Sequence, residues 1–236
     1  MKLLLNRISL CNEWKRGDTL IKAIIFDFDG LIIDTETAWY EAYKEVMVYY
    51  KSDLPLEDFA KCIGTDDSVL NELFKNQLGD SCNIEEIKAR AKIIHKIKMK
   101  TPQAREGVKD YLEEAKNSGY RIGLASSSSR EWVSHYLNEL GLLHYFEVII
   151  TRDDVNKVKP APDLYLKAIK ALNISSEEAI AFEDSLNDLQ SAVAAGLKCV
   201  IVPNSVTEFL AFENYELRLK SMAERKLVDI TRFIEQ

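Results

Sequence analysis

Short apolar runs recur along this chain, each followed by a polar turn and then a stretch of helical period. The first run, Ala23-Ile24-Ile25-Phe26, shows no polar alternation. That is the pattern of a strand buried on both faces of a parallel sheet. Similar runs at 121–125, 146–150, 179–182 and 197–202 predict further strands. Between them, residues 107–116, a segment ending at Leu140, residues 162–172 and a segment ending at Ala195 read as helices. Gly119, Gly141 and Gly196 stand where a left-handed residue would end a helix, and Pro162 stands in a first turn that tolerates it. Strands alternating with helices predict an α/β fold, a Rossmann-like parallel sheet with right-handed crossovers.

One long interval breaks the alternation. From Thr35 to about Lys100 the period is helical throughout. Trp39, Ala42, Tyr43, Val46, Met47 and Tyr50 share one face. Pro55 interrupts the pattern. Val69, Leu70, Leu73, Phe74 and Leu78 resume it, with Thr65 or Asp66 placed to cap the start. Ile84, Ile87, Ala91, Ile94 and Ile97 form a further stripe. The predicted organisation is therefore an α/β core from 21–34 and 101–236, with an inserted helical unit at 35–100. Residues 1–20 fit no element and read as a leader outside the pattern, so that removing residues 1–19 is expected to change little.

Composition narrows the class of function. The 236 residues carry a formal net charge of −7, which disfavours nonspecific binding to nucleic acid. Four cysteines, Cys11, Cys62, Cys82 and Cys199, lie far apart without C-x-x-C spacing, so neither a disulfide framework nor a zinc site is expected. Cys199 falls in an apolar run and reads as a core residue. No apolar run approaches the ~18 residues of a membrane span. A reducing cytoplasm, no membrane and no nucleic acid partner are the expectations, and a monomer suffices.

The candidate chemistry lies at the strand ends. Asp27 and Asp29 appear just where the first strand should stop, in Phe26-Asp27-Phe28-Asp29-Gly30-Leu31-Ile32-Ile33-Asp34-Thr35. Open α/β sheets bind ligands outside the carboxyl ends of their strands. Two carboxylates there are poor for core stability and suit a divalent cation and nucleophilic chemistry. Ser126 follows the run at 121–125, Lys159 stands in Lys159-Pro160-Ala161-Pro162-Asp163 after the third run, and Glu183-Asp184 follows the fourth.

Taken together, D-F-D-G-L-I-I-D-T-E, L-A-S-S-S, K-P-A-P-D and F-E-D-S resemble the four motifs of the haloacid dehalogenase-like hydrolase superfamily. The resemblance is strongest to its subgroup of β-phosphoglucomutases and sugar-phosphate phosphatases, and it runs from about Ile21 to the end. It implies that Asp27 is the nucleophile that takes up a phosphoryl group. It implies that Asp29 is the acid and base that serves the leaving oxygen and the attacking water, its backbone carbonyl also reaching the metal. Ser126 and the backbone N–H of Ser127 would bind phosphoryl oxygens, and Lys159 would neutralise them. Asp27, Asp29, Glu183 and Asp184 would hold Mg2+. The inserted helices would be a cap, and the substrate a small phosphorylated metabolite.

Other readings stand beside these. Ser128 with Glu131 fits a capping box, so Ser128 and Ser129 read as helix caps. Asp188 stands where the subgroup usually has glycine, and reads either as a partner of a metal-bound water or as an exposed acid favoured by a helix N-terminus. His95, His135 and His144 have no partner at ligand spacing and read as structural or surface residues. A phosphorylatable receiver would place its acid pair and its acceptor on different strands, unlike Asp27 and Asp29. The serious alternative to a phosphatase is a phosphomutase of the β-phosphoglucomutase type. Against it, Trp39 stands where the mutases carry a histidine, and 64–68 stands where they carry an arginine loop.

Overall fold

In a computed structural model, residues 20–63, 65 and 67–236 are described. The leader at 1–19, with Cys11, lies outside them, and so does Asp66, one of the two expected caps. Among the described residues, β1 (Ala23–Phe26) is followed by α1 (Thr35–Tyr49), α2 (Leu56–Ala60), α3 (Asp67–Leu78) and α4 (Ile84–Lys98). Then come α5 (Val108–Asn117), β2 (Arg121–Ala125), α6 (Arg130–Glu139), β3 (Val148–Ile150) and α7 (Asp163–Leu172). The chain continues through β4 (Ala179–Glu183), α8 (Leu186–Ala194), β5 (Lys198–Ile201), β6 (Leu217–Arg218) and α9 (Leu227–Ile234).

The strands form one six-stranded parallel sheet in the order β3-β2-β1-β4-β5-β6. β1 pairs with β2 on one side and β4 on the other, so Phe26 is level with both Leu124 and Phe182. The direction of winding reverses at β1, which opens a crevice past its carboxyl end.

Alternate strand residues feed two cores. Ile24, Phe26, Ile122, Leu124, Ile180 and Phe182 pack on one face, against α5, α6 and α9. Ala23, Ile25, Ala125, Ala181, Cys199 and Ile201 pack on the other, against α7 and α8. Both faces are covered, which is why the strands read as continuous apolar runs. Cys199 is a buried core residue, as expected.

α1 to α4 form a third cluster around Tyr43, Met47, Phe59, Phe74, Ile87 and Ala91. Asp34 starts α1 by accepting from the Thr37 backbone N–H at 3.0 Å. At the expected cap of α3, the Thr65 hydroxyl donates back to the Cys62 carbonyl at 2.6 Å. No helix among the described residues is long and apolar enough to cross a membrane. β6 and α9 were not expected from the sequence pattern. β6 is two residues long, too short to show a period.

Candidate active site

The strand ends deliver the polar groups one after another. The Asp27 N–H donates to the Phe182 carbonyl at 3.1 Å, carrying the ladder one residue past β1. Its side chain therefore starts in the crevice between β1 and β4. The chain then turns at Gly30, whose N–H donates to the Ile33 carbonyl at 2.8 Å and whose φ is +80°. Glycine is needed here twice over. The positive φ disfavours a side chain, and a Cβ would overlap the Asp184 carboxylate. Past β2, the Ser126 N–H donates to the Ile150 carbonyl at 3.0 Å. Glu183 ends β4 and Asp184 follows it.

Lys159 arrives from the loop after β3 and is fully buried. Its Nζ lies 2.5 Å from Asp27 Oδ1, 2.9 Å from Glu183 Oε1 and 3.4 Å from Asp188 Oδ1. Asp27, Glu183, Asp184 and Asp188 each offer an oxygen, all within 4.8 Å of one another. One ammonium does not balance four carboxylates. Asp27 Oδ2, Glu183 Oε2 and Asp184 Oδ1 are buried without a hydrogen-bond partner. Buried orphan oxygens are costly, and a hard divalent cation with oxygen ligands is the partner they fit.

Electrostatics agree with that reading. Burial, opposed by Lys159 and reinforced by Asp188, pushes Asp27 up to about 7. Burial also raises Glu183 and Asp184 well above the usual carboxylate range. Burial alone would lower Lys159, but Asp188, Asp27 and Glu183 outweigh it and hold the ammonium charged.

Asp188 is thus no exposed acid. It is buried, and its Oδ2 accepts from the Ser185 hydroxyl at 2.6 Å while Ser185 caps α8. The sequence left its role open, because a first-turn acid looks the same whichever way its helix faces.

The Asp29 side chain turns away from this cluster. Its Oδ1 accepts from Thr35 Oγ1 at 3.1 Å and from Trp132 Nε1 at 2.9 Å. Its Oδ2 accepts from Ser128 Oγ at 2.6 Å and Ser126 Oγ at 3.4 Å. Burial raises the Asp29 pKa, and these four donors oppose the rise. The capping expectation is corrected here. Ser129 caps α6 by accepting from the Trp132 backbone N–H at 3.3 Å, while Ser128 binds Asp29. The helix begins one residue later than a Ser128 cap requires, which leaves Ser128 facing the crevice.

A cavity of about 390 Å³ opens over these groups. Asp27, Asp29, Ser126, Ser127 and Asp188 line its core side, and Trp39 and Ile63 its helical side. Glu36 also faces it, and burial together with Asp29 and Asp188 raises that carboxyl well above its ordinary value.

Three supporting residues, Trp132, Asn204 and Arg105, lay outside every motif read from the sequence. Asn204 Nδ2 donates to Asp184 Oδ2 at 2.7 Å, and its Oδ1 accepts from the Val206 backbone N–H at 2.9 Å. Arg105 donates to the carbonyls of Gly30, Val202 and Pro203, tying the loops after β1 and β5 together. A polar residue two positions past an apolar run was the one available signal for Asn204. Arg105 gave none.

Comparison with known proteins agrees with the site. A model of the family described as haloacid dehalogenase-like hydrolase matches residues 24–202. The Bacillus subtilis (strain 168) protein named "Putative phosphatase YhcW" is 50% identical over 88% of this chain and 95% of its own length. A phosphorylated carbohydrates phosphatase of Thermotoga maritima is 29% identical over 75% of this chain and 83% of its own. Among solved structures, CbbY from Rhodobacter sphaeroides in complex with phosphate superposes with a TM-score of 0.70 at 28% identity. That match covers 89% of this chain and 98% of the other.

Proposed function

The chain belongs to the haloacid dehalogenase-like hydrolases as a phosphoric monoester hydrolase, and we propose that it cleaves a small sugar phosphate through an aspartyl-phosphate on Asp27, with Mg2+ as its metal. The observation that carries this reading is the buried cluster of Asp27, Glu183, Asp184 and Asp188 around Lys159, with Asp29 held two residues beyond the nucleophile.

In the first half-reaction an Asp27 carboxylate oxygen attacks phosphorus and the bond to the leaving oxygen breaks. Asp29 gives its proton to that oxygen. In the second, Asp29 takes a proton from water, water oxygen attacks phosphorus, and the bond to Asp27 breaks to release inorganic phosphate. Ser126 and the backbone at Ser127 hold phosphoryl oxygens, and Lys159 balances their charge and fixes Asp27. Asp27, Glu183 and Asp184, with the Asp29 backbone carbonyl, would hold the cation; Asp188 adds a fourth carboxylate beside it. When bound, the cation supplies charge neutralisation for the phosphoryl group.

The helices at 35–100 act in this reading as a cap over the crevice. Among the described residues, three of the links that hold them to the core lie beside the loops after β4 and β5. Asn187 Nδ2 donates to the Ile63 carbonyl at 2.7 Å, Thr37 Oγ1 and Ser205 Oγ lie 2.7 Å apart, and Val206 packs in the helical cluster. Hinge motion near Asp34 and Lys100 would admit substrate and then exclude water.

A phosphate-release screen over sugar and nucleotide monophosphates, with magnesium present, tests the reading. β-glucose 1-phosphate with a bisphosphate primer is included, and glucose 6-phosphate is followed alongside phosphate. Release from a sugar phosphate without isomerisation is expected. Efficient isomerisation with little release would make the protein a phosphomutase instead, and release confined to nucleotides would overturn the sugar-phosphate reading.

A further inference from the structure

Trp132 joins two features that the proposed chemistry leaves unconnected. The first is Asp29, whose Oδ1 receives the Trp132 indole N–H at 2.9 Å. The second is an aromatic stack that crosses from the helical layer into the core. Tyr43 and Trp39 on α1 lie 5.6 Å apart at an interplanar angle of 25°. Trp39 stacks on His95 of α4 at 3.8 Å and 13°. His95 then meets Trp132 of α6 at 5.8 Å and 30°, and Trp132 meets Tyr136 edge-on at 4.6 Å. The crossing between layers is the His95–Trp132 contact.

His95 is 3% exposed, and its Nε2 has no hydrogen-bond partner. Its place is therefore set by ring packing rather than by a polar contact on that nitrogen. An indole nitrogen can only donate, so Trp132 can bind Asp29 only through a carboxyl oxygen that accepts. Thr35, the first residue of α1, supplies the other donor to the same oxygen. Both donors on Asp29 Oδ1 thus sit on elements that the helical layer touches or begins.

We infer that Trp132 is a positioning residue that fixes the orientation of Asp29 through its indole N–H and, by stacking on His95, ties that orientation to the seating of the helical layer. The inference rests on the acid–base role proposed for Asp29. Movement of the helices would shift His95 against Trp132, and the indole would carry the change to Asp29. Trp132→Phe keeps a ring in the stack and removes only the donor. His95→Ala keeps the donor and removes the stacking partner.

The test measures steady-state kinetics on the best substrate of the phosphate-release screen, together with indole N–H resonances of the protein labelled with 15N-tryptophan. Trp132→Phe, which also assigns the Trp132 signal by its loss, is expected to lower kcat about tenfold or more with KM little changed, the scale of one hydrogen bond to a charged group. His95→Ala is expected to move the Trp132 indole signal and to lower kcat by a smaller factor. Asp29→Asn should move the same signal and nearly abolish turnover. Unchanged kcat in Trp132→Phe, or an unmoved signal in His95→Ala, would overturn the inference while leaving Asp29 as the acid and base. Substantial turnover in Asp29→Asn would instead overturn the acid–base reading itself.

Discussion

The Asn204 side-chain amide donates to Asp184 Oδ2 at 2.7 Å, leaving Asp184 Oδ1 buried and unpartnered toward the acidic cluster. The amide is itself fixed, because its oxygen accepts from the backbone N–H groups of Val206 and Thr207. One oxygen of the carboxylate is thereby committed and the other is left for a cation. Groups that orient a metal ligand in this way are typically worth ~10–100-fold in metal affinity. Asn204→Ala is expected to weaken magnesium binding within that range, measured by titration calorimetry, with the fold retained by circular dichroism. Unchanged affinity would show that Asp184 is not oriented through Asn204.

The cluster as a whole should behave as a metal site in solution. Chelator is expected to silence phosphate release and magnesium to restore it. Calcium should substitute poorly, since its coordination is larger and looser. Magnesium should also raise the melting temperature of the wild type, because the ion would partner buried oxygens that otherwise have none. Activity that survives exhaustive chelation would refute the metal assignment.

Asp27→Asn changes little in shape but removes the proposed nucleophile and a carboxylate beside Lys159. Turnover is expected to fall below detection. Acid-quenched wild type incubated with labelled substrate should carry an acid-stable phosphoryl group on Asp27, and the variant should carry none. Labelling that persists in the variant would place the covalent step elsewhere.

Gly30→Ala should be severe for two reasons that act together. The backbone there has φ +80°, and the added methyl would meet the Asp184 carboxylate and the Asn204 amide. Loss of magnesium-dependent stabilisation in thermal melts, together with loss of activity, is the expected outcome. A variant with wild-type metal response would mean that the loop moves aside freely.

His95 gives a pH dependence of definite sign. Burial lowers its pKa from 6.5 to about 4. Between those values the unfolded chain binds the proton and the folded protein does not, so folding loses stability as pH falls through that window. His95→Phe keeps a ring in the stack and removes the titration. Its melting temperature should decline less steeply than that of the wild type between pH 6.5 and pH 4. Parallel curves would show that His95 takes up its proton in the folded state as readily as in the unfolded chain.

What the sequence determined by itself were features that rest on local pattern. A strand buried on both faces must be apolar throughout, so β1, β2, β4 and β5 announced themselves, and their order with the helices entailed a parallel sheet. The residues that end those strands, Asp27, Asp29, Ser126, Glu183 and Asp184, could be picked out because a carboxylate or a hydroxyl after such a run has no business in a core. Lys159 stood out by its proline-flanked motif. Tertiary structure alone decided which polar groups meet. Asp188 is buried because the first turn of α8 faces Lys159, a direction that helical period does not carry. Ser128 rather than Ser129 reaches Asp29 because α6 starts at Arg130. Asn204 lies 20 residues beyond Asp184, Arg105 lies 75 beyond Gly30 and Trp132 lies 103 beyond Asp29. Hydrogen bonds over such separations are set by how the sheet brings strand ends side by side, so no local pattern in the chain records them.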